Sequence, residues 1–120
     1  MQFNKHNSYK IGYKLSNFVW KIVNKWNYLN QSTLGKQLIR SADSISSNIA
    51  EGWNRYYKKD KIRFFNFAKS SFYETIDHLN KGAVRGLVSK EETDEIKKLI
   101  KDFPKEINGL IKGTNQNLKN

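Results

Sequence analysis

The chain is predicted to be all-α, an antiparallel up-down-up-down four-helix bundle that fills residues 1–120 as one domain. Three observations lead there. Apolar residues recur at steps of three and four in four separate stretches, the spacing of one helix face. Short polar or glycine-bearing connections divide the stretches, so consecutive helices have room only to turn back on one another. A length of 120 residues with 38% hydrophobic and 28% charged residues supports a single buried core.

The first helix, about 8–27, carries Ile11, Leu15, Phe18, Ile22, Trp26 and Leu29 as its buried stripe. At about 100° per residue, Lys10, Lys14, Lys21 and Lys25 share one flank of that stripe, while Tyr9, Tyr13 and Trp20 lie almost opposite Ile11. Asn30, Gln31, Ser32 and Thr33 form the turn, with Ser32 or Thr33 capping the second helix, about 33–53. That helix buries Leu38, Ala42, Ile45 and Ile49, and its small residues Ser41, Ser44, Ser47 and Ala50 admit close approach of another helix.

The third helix, about 59–85, is capped by Asp60 and buries Phe65, Ala68, Phe72, Ile76, Leu79 and Ala83. Gly86 ends it in a left-handed conformation, with Leu87 or Val88 folding back. Ser89-Lys90-Glu91-Glu92 is a capping-box pattern opening the fourth helix, about 90–113, which buries Ile96, Ile100, Phe103, Ile107 and Leu110. The only proline, Pro104, removes a hydrogen bond to Ile100 and is expected to kink this helix without ending it. Residues 114–120 read as a frayed polar tail.

Charge is segregated. The net charge is +11, and residues 1–42 hold seven cations before the first acidic residue, Asp43. Such a surplus favours a polyanionic partner, nucleic acid first and an acidic membrane surface second. No apolar run approaches the roughly 20 residues that span a bilayer, and the N-terminus has no apolar signal region, so a cytoplasmic protein without membrane insertion is expected.

Chemistry is excluded by elimination. There are no cysteines, and neither His6, in a tail, nor His78, on a helix flank, has a second ligand at metal spacing. No metal or cofactor is expected. Asp77-His78 reads as a solvated pair, and no catalytic residues are assigned: the chain is expected not to be an enzyme.

Two features remain for binding. Around the corner between helices two and three stand Arg55, Lys58, Lys59, Lys61 and Arg63. Beside them Asn48, Glu51 and Gly52 form a structural corner. Glu51, unfavourable at a helix C-terminus, is neutralised by Arg55 with Arg40 and Arg63 nearby, and Asn48 satisfies backbone groups. Tyr9, Tyr13 and Trp20 face outward, as does Phe67 on the third helix. These aromatics suit either a subunit interface or a stacking platform for single-stranded bases.

The segment SISSNIAEG, followed by a basic run and IRFFNFAKSSFYE, resembles the bacterial four-helix-bundle proteins encoded in 23S rRNA intervening sequences. Accessory proteins of diversity-generating retroelements are more distantly similar. The resemblance spans roughly Lys10 to Lys112 and is most specific at Asn48-Ile49-Ala50-Glu51-Gly52 and Ile62-Arg63-Phe64. It implies a small helical protein, commonly pentameric, that binds nucleic acid. On that basis Tyr9, Tyr13, Trp20 and Phe67 become the oligomer interface. Lys10, Lys14, Lys21, Lys25, Arg40, Arg55, Lys58, Lys59, Lys61 and Arg63 become the contacts to RNA or DNA. The alternative is a protein-interaction scaffold or accessory subunit for a nucleic-acid enzyme such as a reverse transcriptase. Many relatives carry proline where Ser46 stands, so the second helix is expected to be straighter here, since serine keeps its amide donor.

Overall fold

A computed structural model describes residues 2–117. A 3-10 turn, Phe3–Lys5, precedes α1, Asn7–Asn24. The second helical run, α2, is continuous across Tyr28–Asn30, a π turn at Gln31–Gly35, and Lys36–Trp53. It passes through Ser46 without interruption. Helix α3 is Lys58–Val84, and the fourth run is divided into α4, Lys90–Ile100, and α5, Phe103–Asn117. The fold is all-α, four helical runs gathered into a bundle 49 × 25 × 20 Å.

Side chains pair along the runs in register. Gly12 of α1 faces Ile45 of α2, and Val23 faces Gly35. Gly52 of α2 abuts Phe65 of α3, Ser41 Oγ lies 3.0 Å from Thr75 Oγ1, and Leu34 approaches Gly82. Phe72 of α3 stacks on Phe103 of α5 at 4.3 Å, and Lys69 donates to Asn108. Asn7 of α1 reaches Glu106 of α5, and Lys25, just past the end of α1, reaches Glu92 of α4.

Locally encoded ends appear where the sequence places them. Gly86 has φ +75°, with Leu87 N–H donating to Gly82 O and Gly86 N–H to Ala83 O, the paired bonds of a Schellman end. Trp26 Nε1 donates to Leu87 O at 2.8 Å, tying this end to α1. At Ser89 the capping box is complete.

Other ends differ from expectation. The second run begins at Tyr28, capped by Asn27, whose Oδ1 accepts from Asn30 N–H at 3.0 Å. Ser32 and Thr33 do not cap; both hydroxyls donate to Leu29 O inside the helix. The π turn absorbs an extra residue there, so the expected turn is wound into helix. Asp60 does not cap α3 either. Tyr57 holds that position without a side-chain bond, and Asp60 sits in the first turn, where its charge complements the helix dipole.

Pro104 marks a break, not a kink. The helix ends at Ile100, and Pro104 lies in the first turn of α5, where its missing N–H breaks no intrahelical bond. Glu106 N–H donates to Asp102 O, the first bond of the new helix. Residues 114–117 are helical, not frayed, and Thr114 Oγ1 donates to Leu110 O; the rest of the expected tail lies outside the described residues.

The buried face of α1 is also rotated. Ser8, Gly12, Leu15, Val19, Ile22, Val23 and Trp26 are buried, Ile11 and Phe18 are half-buried, and Leu29 is 68% exposed. Small residues at 8 and 12 let α1 lie close on α2, and this turns the helix away from its bulkier stripe. On α3 the same preference buries Thr75, His78 and Gly82 and leaves Ala83 exposed.

The close approach predicts opposite outcomes for two alanine substitutions. A Cβ at Gly12 would stand 2.7 Å from Ile45 Cγ2 and 3.3 Å from Ile45 Cβ, on a fully buried β-branched side chain that has little freedom to move. Gly12→Ala should destabilise the protein by about 1–3 kcal/mol through overpacking. Gly109→Ala, at a helical position with open space around it, should stabilise it by up to about 1 kcal/mol. Urea unfolding midpoints check both signs.

Candidate nucleic-acid interface

Lysines on the α1 flank line two grooves of different charge along the fourth run. Near its α5 end, Lys10 and Lys14 line an open groove of about 410 Å³ with Lys98 of α4 and Lys105 of α5. Asn7, Ile11, Leu99, Asp102 and Glu106 complete its walls. No carboxylate among the described residues pairs with any of the four lysines. Glu106 is held by Asn7 Nδ2 at 2.9 Å.

Near its other end the same flank is neutralised. Lys25 Nζ bonds Glu92 Oε2 at 2.8 Å, and Lys21 shares a groove with Glu91, Glu92 and Glu95. Burial pushes the Glu92 carboxyl up, but hydrogen bonds and charge from Lys25, with Ser89, outweigh it and leave the net value below the usual carboxylate range. The four-lysine ridge is therefore two half-ridges, one electropositive and one facing the carboxylates of α4, with Lys25 ion-paired. Lys98 and Lys105 were missed in the sequence. On the single helix expected over 90–113 their spacing of seven puts them on one face, but only the packing of α1 against α4 and α5 makes them partners of Lys10 and Lys14.

At the α2–α3 corner, Arg55 donates to Glu51 Oε1 at 2.7 Å and lies 4.5 Å over the Phe64 ring. Arg63 pairs with Asp60 at 3.7 Å and also stands over Phe64 and Phe67. Arg40 does not reach Glu51; it bonds Glu74 Oε2 at 2.7 Å. Lys61 turns inward and donates to Trp53 O at 2.6 Å, an end carbonyl of α2, and burial lowers its pKa. Lys58 and Lys59 remain without a carboxylate partner among the described residues. Asn48 Nδ2 donates to Ser44 O of its own helix. Gly52 abuts Phe65 so closely that a Cβ there would meet the ring at 2.8 Å and Lys61 O at 3.0 Å.

The four outward aromatics do not form one patch. Tyr9 is half-buried, packed on the core and against Phe3 at 5.1 Å. Tyr13 stacks on Tyr9 and is exposed, as is Trp20. Phe67 sits with Phe64 on α3, on the opposite flank of α2 from the α1 ridge.

The histidines also depart from expectation. His78 is buried, not flanking, with Nε2 3.3 Å from Glu74 Oε2 and Nδ1 unpartnered. Asp77 does not pair with it but with Lys81 at 2.7 Å. His6 is no tail residue: its Nδ1 accepts from Ser8 N–H at 3.1 Å and lies 2.8 Å from Ser8 Oγ, capping α1. Among the described residues, no three His, Asp or Glu side chains gather as metal ligands, and no helix is long and apolar enough to cross a membrane.

Fold and surface together define a small, basic, helical-bundle protein with open lysine and arginine–aromatic surfaces. The family model of the 23S rRNA-intervening sequence protein matches residues 4–109, and the chain belongs to that family. No curated protein matches the chain.

The cap at His6 generates a pH prediction. Burial pushes His6 below its ordinary value, with Glu106 partly opposing. The folded state therefore takes up this proton less readily than the unfolded one. The cap's contribution is whole above about pH 6.5 and is lost as pH falls through the lower folded value. His6→Asn keeps a capping oxygen that does not titrate. Its stability should stay flat from pH 7 to about pH 5, where the parent loses up to about 1 kcal/mol. Both should then fall below about pH 4.3 as Glu74 and Glu92, whose folded values are depressed, protonate. Urea midpoints across pH check this, and identical profiles above pH 5 would exclude His6 as the cause.

Proposed function

We propose that the protein is a non-enzymatic subunit of a closed homo-oligomer that binds RNA or DNA through phosphate contacts in the cytoplasm. The observation that carries this reading is the groove in which Lys10, Lys14, Lys98 and Lys105 stand together without ion-pair partners among the described residues. Four ammonium groups on three packed helices form a fixed array, and a polyphosphate backbone is its natural complement. An antiparallel up-down-up-down bundle supports that array: 12 with 45 and 23 with 35, 52 with 65 and 41 with 75, 69 with 108 and 72 with 103 all run in opposite senses.

Repetition around a ring, five copies by family resemblance, would multiply weak contacts through effective concentration. Support for assembly comes from α1 and α2. Tyr13 and Trp20 are exposed on α1, and Ile39 and Ala50 of α2 are left half-buried. The Ser44 and Ser47 hydroxyls already donate to Arg40 O and Asp43 O, so this face can be covered without stranding their donors. The scaffold reading has one observation in its favour, a small apolar cleft where Ile76, Leu79 and Ala83 of α3 meet Ile96 and Ile100 of α4.

Labelled RNA or DNA titrated at 50 and 200 mM salt tests binding. Four phosphate contacts on duplex should lower affinity about 100-fold between these conditions, and Lys14→Glu with Lys98→Glu should weaken binding while helicity is retained. A salt-independent response removes the phosphate reading. A protein partner that survives nuclease treatment in a pull-down would favour the scaffold.

Assembly is tested separately. Trp20→Glu should reduce the sedimenting mass to that of one chain with an unchanged helical spectrum, since desolvated aromatics dominate interface energetics. An unchanged mass would move the interface elsewhere.

A further inference from the structure

The corner between α2 and α3 carries exposed rings that the bundle does not use. Tyr56 is 86% exposed and Tyr57 57% exposed, edge to face at 4.9 Å on the loop that joins the helices. One flank of α3 adds Phe64 and the exposed Phe67, edge to face at 5.5 Å, with the Arg55 and Arg63 guanidinium groups over Phe64. Lys58 and Lys59 stand between the two ring pairs in sequence, at the start of α3.

From this juxtaposition of open aromatic faces, planar guanidinium groups and ammonium groups without a carboxylate partner among the described residues we infer that the α2–α3 corner is a stacking platform for single-stranded nucleic acid. The inference rests on the proposed nucleic-acid reading and specifies its ligand. Aromatic faces contribute by stacking on bases, and in a duplex those faces are already covered by neighbouring bases. Tyrosines this exposed gain little from folding, whereas a splayed base can lie on either ring. Glu51 holds Arg55 at 2.7 Å beside Phe64, Lys59 has no ion-pair partner among the described residues, and Lys58 makes only a long 3.5 Å contact to Asn115 O that a phosphate would displace.

Charge argues against a second copy of this corner as the occupant. Five cations against Glu51 and Asp60 leave an excess that would repel its own image. The strand's phosphates remove that repulsion. Stacking is indifferent to base identity, so the site is sequence-tolerant.

The test compares a 20-nucleotide single strand of uridine or thymidine with a duplex of equal length, at one salt concentration. The parent should prefer the single strands. The double variant Tyr56→Ala, Tyr57→Ala should lose about tenfold or more in single-strand affinity, with duplex affinity unchanged, while Tyr56→Phe, Tyr57→Phe should bind as the parent does. Lys58→Gln with Lys59→Gln should reduce the single-strand salt slope by about 1.4. Binding of nucleic acid that is unaffected by the alanine pair, or weakened equally on duplex, overturns this inference but leaves the phosphate reading standing. Absence of binding to any of the strands overturns both. A changed sedimenting mass in the alanine pair would assign the tyrosines to a subunit contact and overturn the platform.

Discussion

Close contact between α2 and its two neighbours sets the rest of the molecule. Gly12 against Ile45, Ser41 against Thr75, and Gly52 against Phe65 bring backbones together where side chains are smallest. Such contacts resist expansion, because buried Ile45 and Phe65 already fill the space a methyl group would need. The Ser41 hydroxyl donates to Leu38 O and the Thr75 hydroxyl to Ser71 O or Ser41 Oγ, so this polar strip is buried with its donors bonded.

Because α1 presents its small residues to α2, its larger apolar residues Ile11 and Phe18 turn toward the fourth run, and the lysine flank follows them. The chemistry of the fourth run then decides which lysines stay available. Glu91, Glu92 and Glu95 of α4 meet Lys21 and Lys25, while Lys98 and Lys105 meet Lys10 and Lys14. The break before Pro104 belongs to the same arrangement, since it lets Phe103 stack on Phe72 and starts a new helix carrying Lys105 and Glu106. An electropositive surface here arises where α1 meets α4 and α5, and no one helix owns it.

What was legible along the chain was what neighbouring residues decide among themselves. Gly86 had to be left-handed to close α3, and Ser89 with Glu92 had to cap α4, because both depend on bonds within six residues. The π turn was not legible. Ser32 and Thr33 are good caps by composition, yet Asn27 captures the helix start, and Gly35, inside that turn, lies directly against Val23. Tyr9 looked exposed by helix phase, but the turn Phe3–Lys5 folds back and covers it. Of the ten cations assigned to a polyanion, Lys25, Arg40, Arg55 and Arg63 are engaged by carboxylates on neighbouring turns or helices.

The linear order of residues determined an all-α chain of four amphipathic runs, where two of them end, and a cationic opening third. Periodicity and capping are properties of adjacent residues, so they need no partner to be read. Tertiary structure alone decided which face of α1 is buried, that Lys98 and Lys105 join Lys10 and Lys14, and that Arg55 and Arg63 lie over the rings of α3. Those outcomes depend on how closely two helices can approach, and that is governed by small residues far apart in sequence.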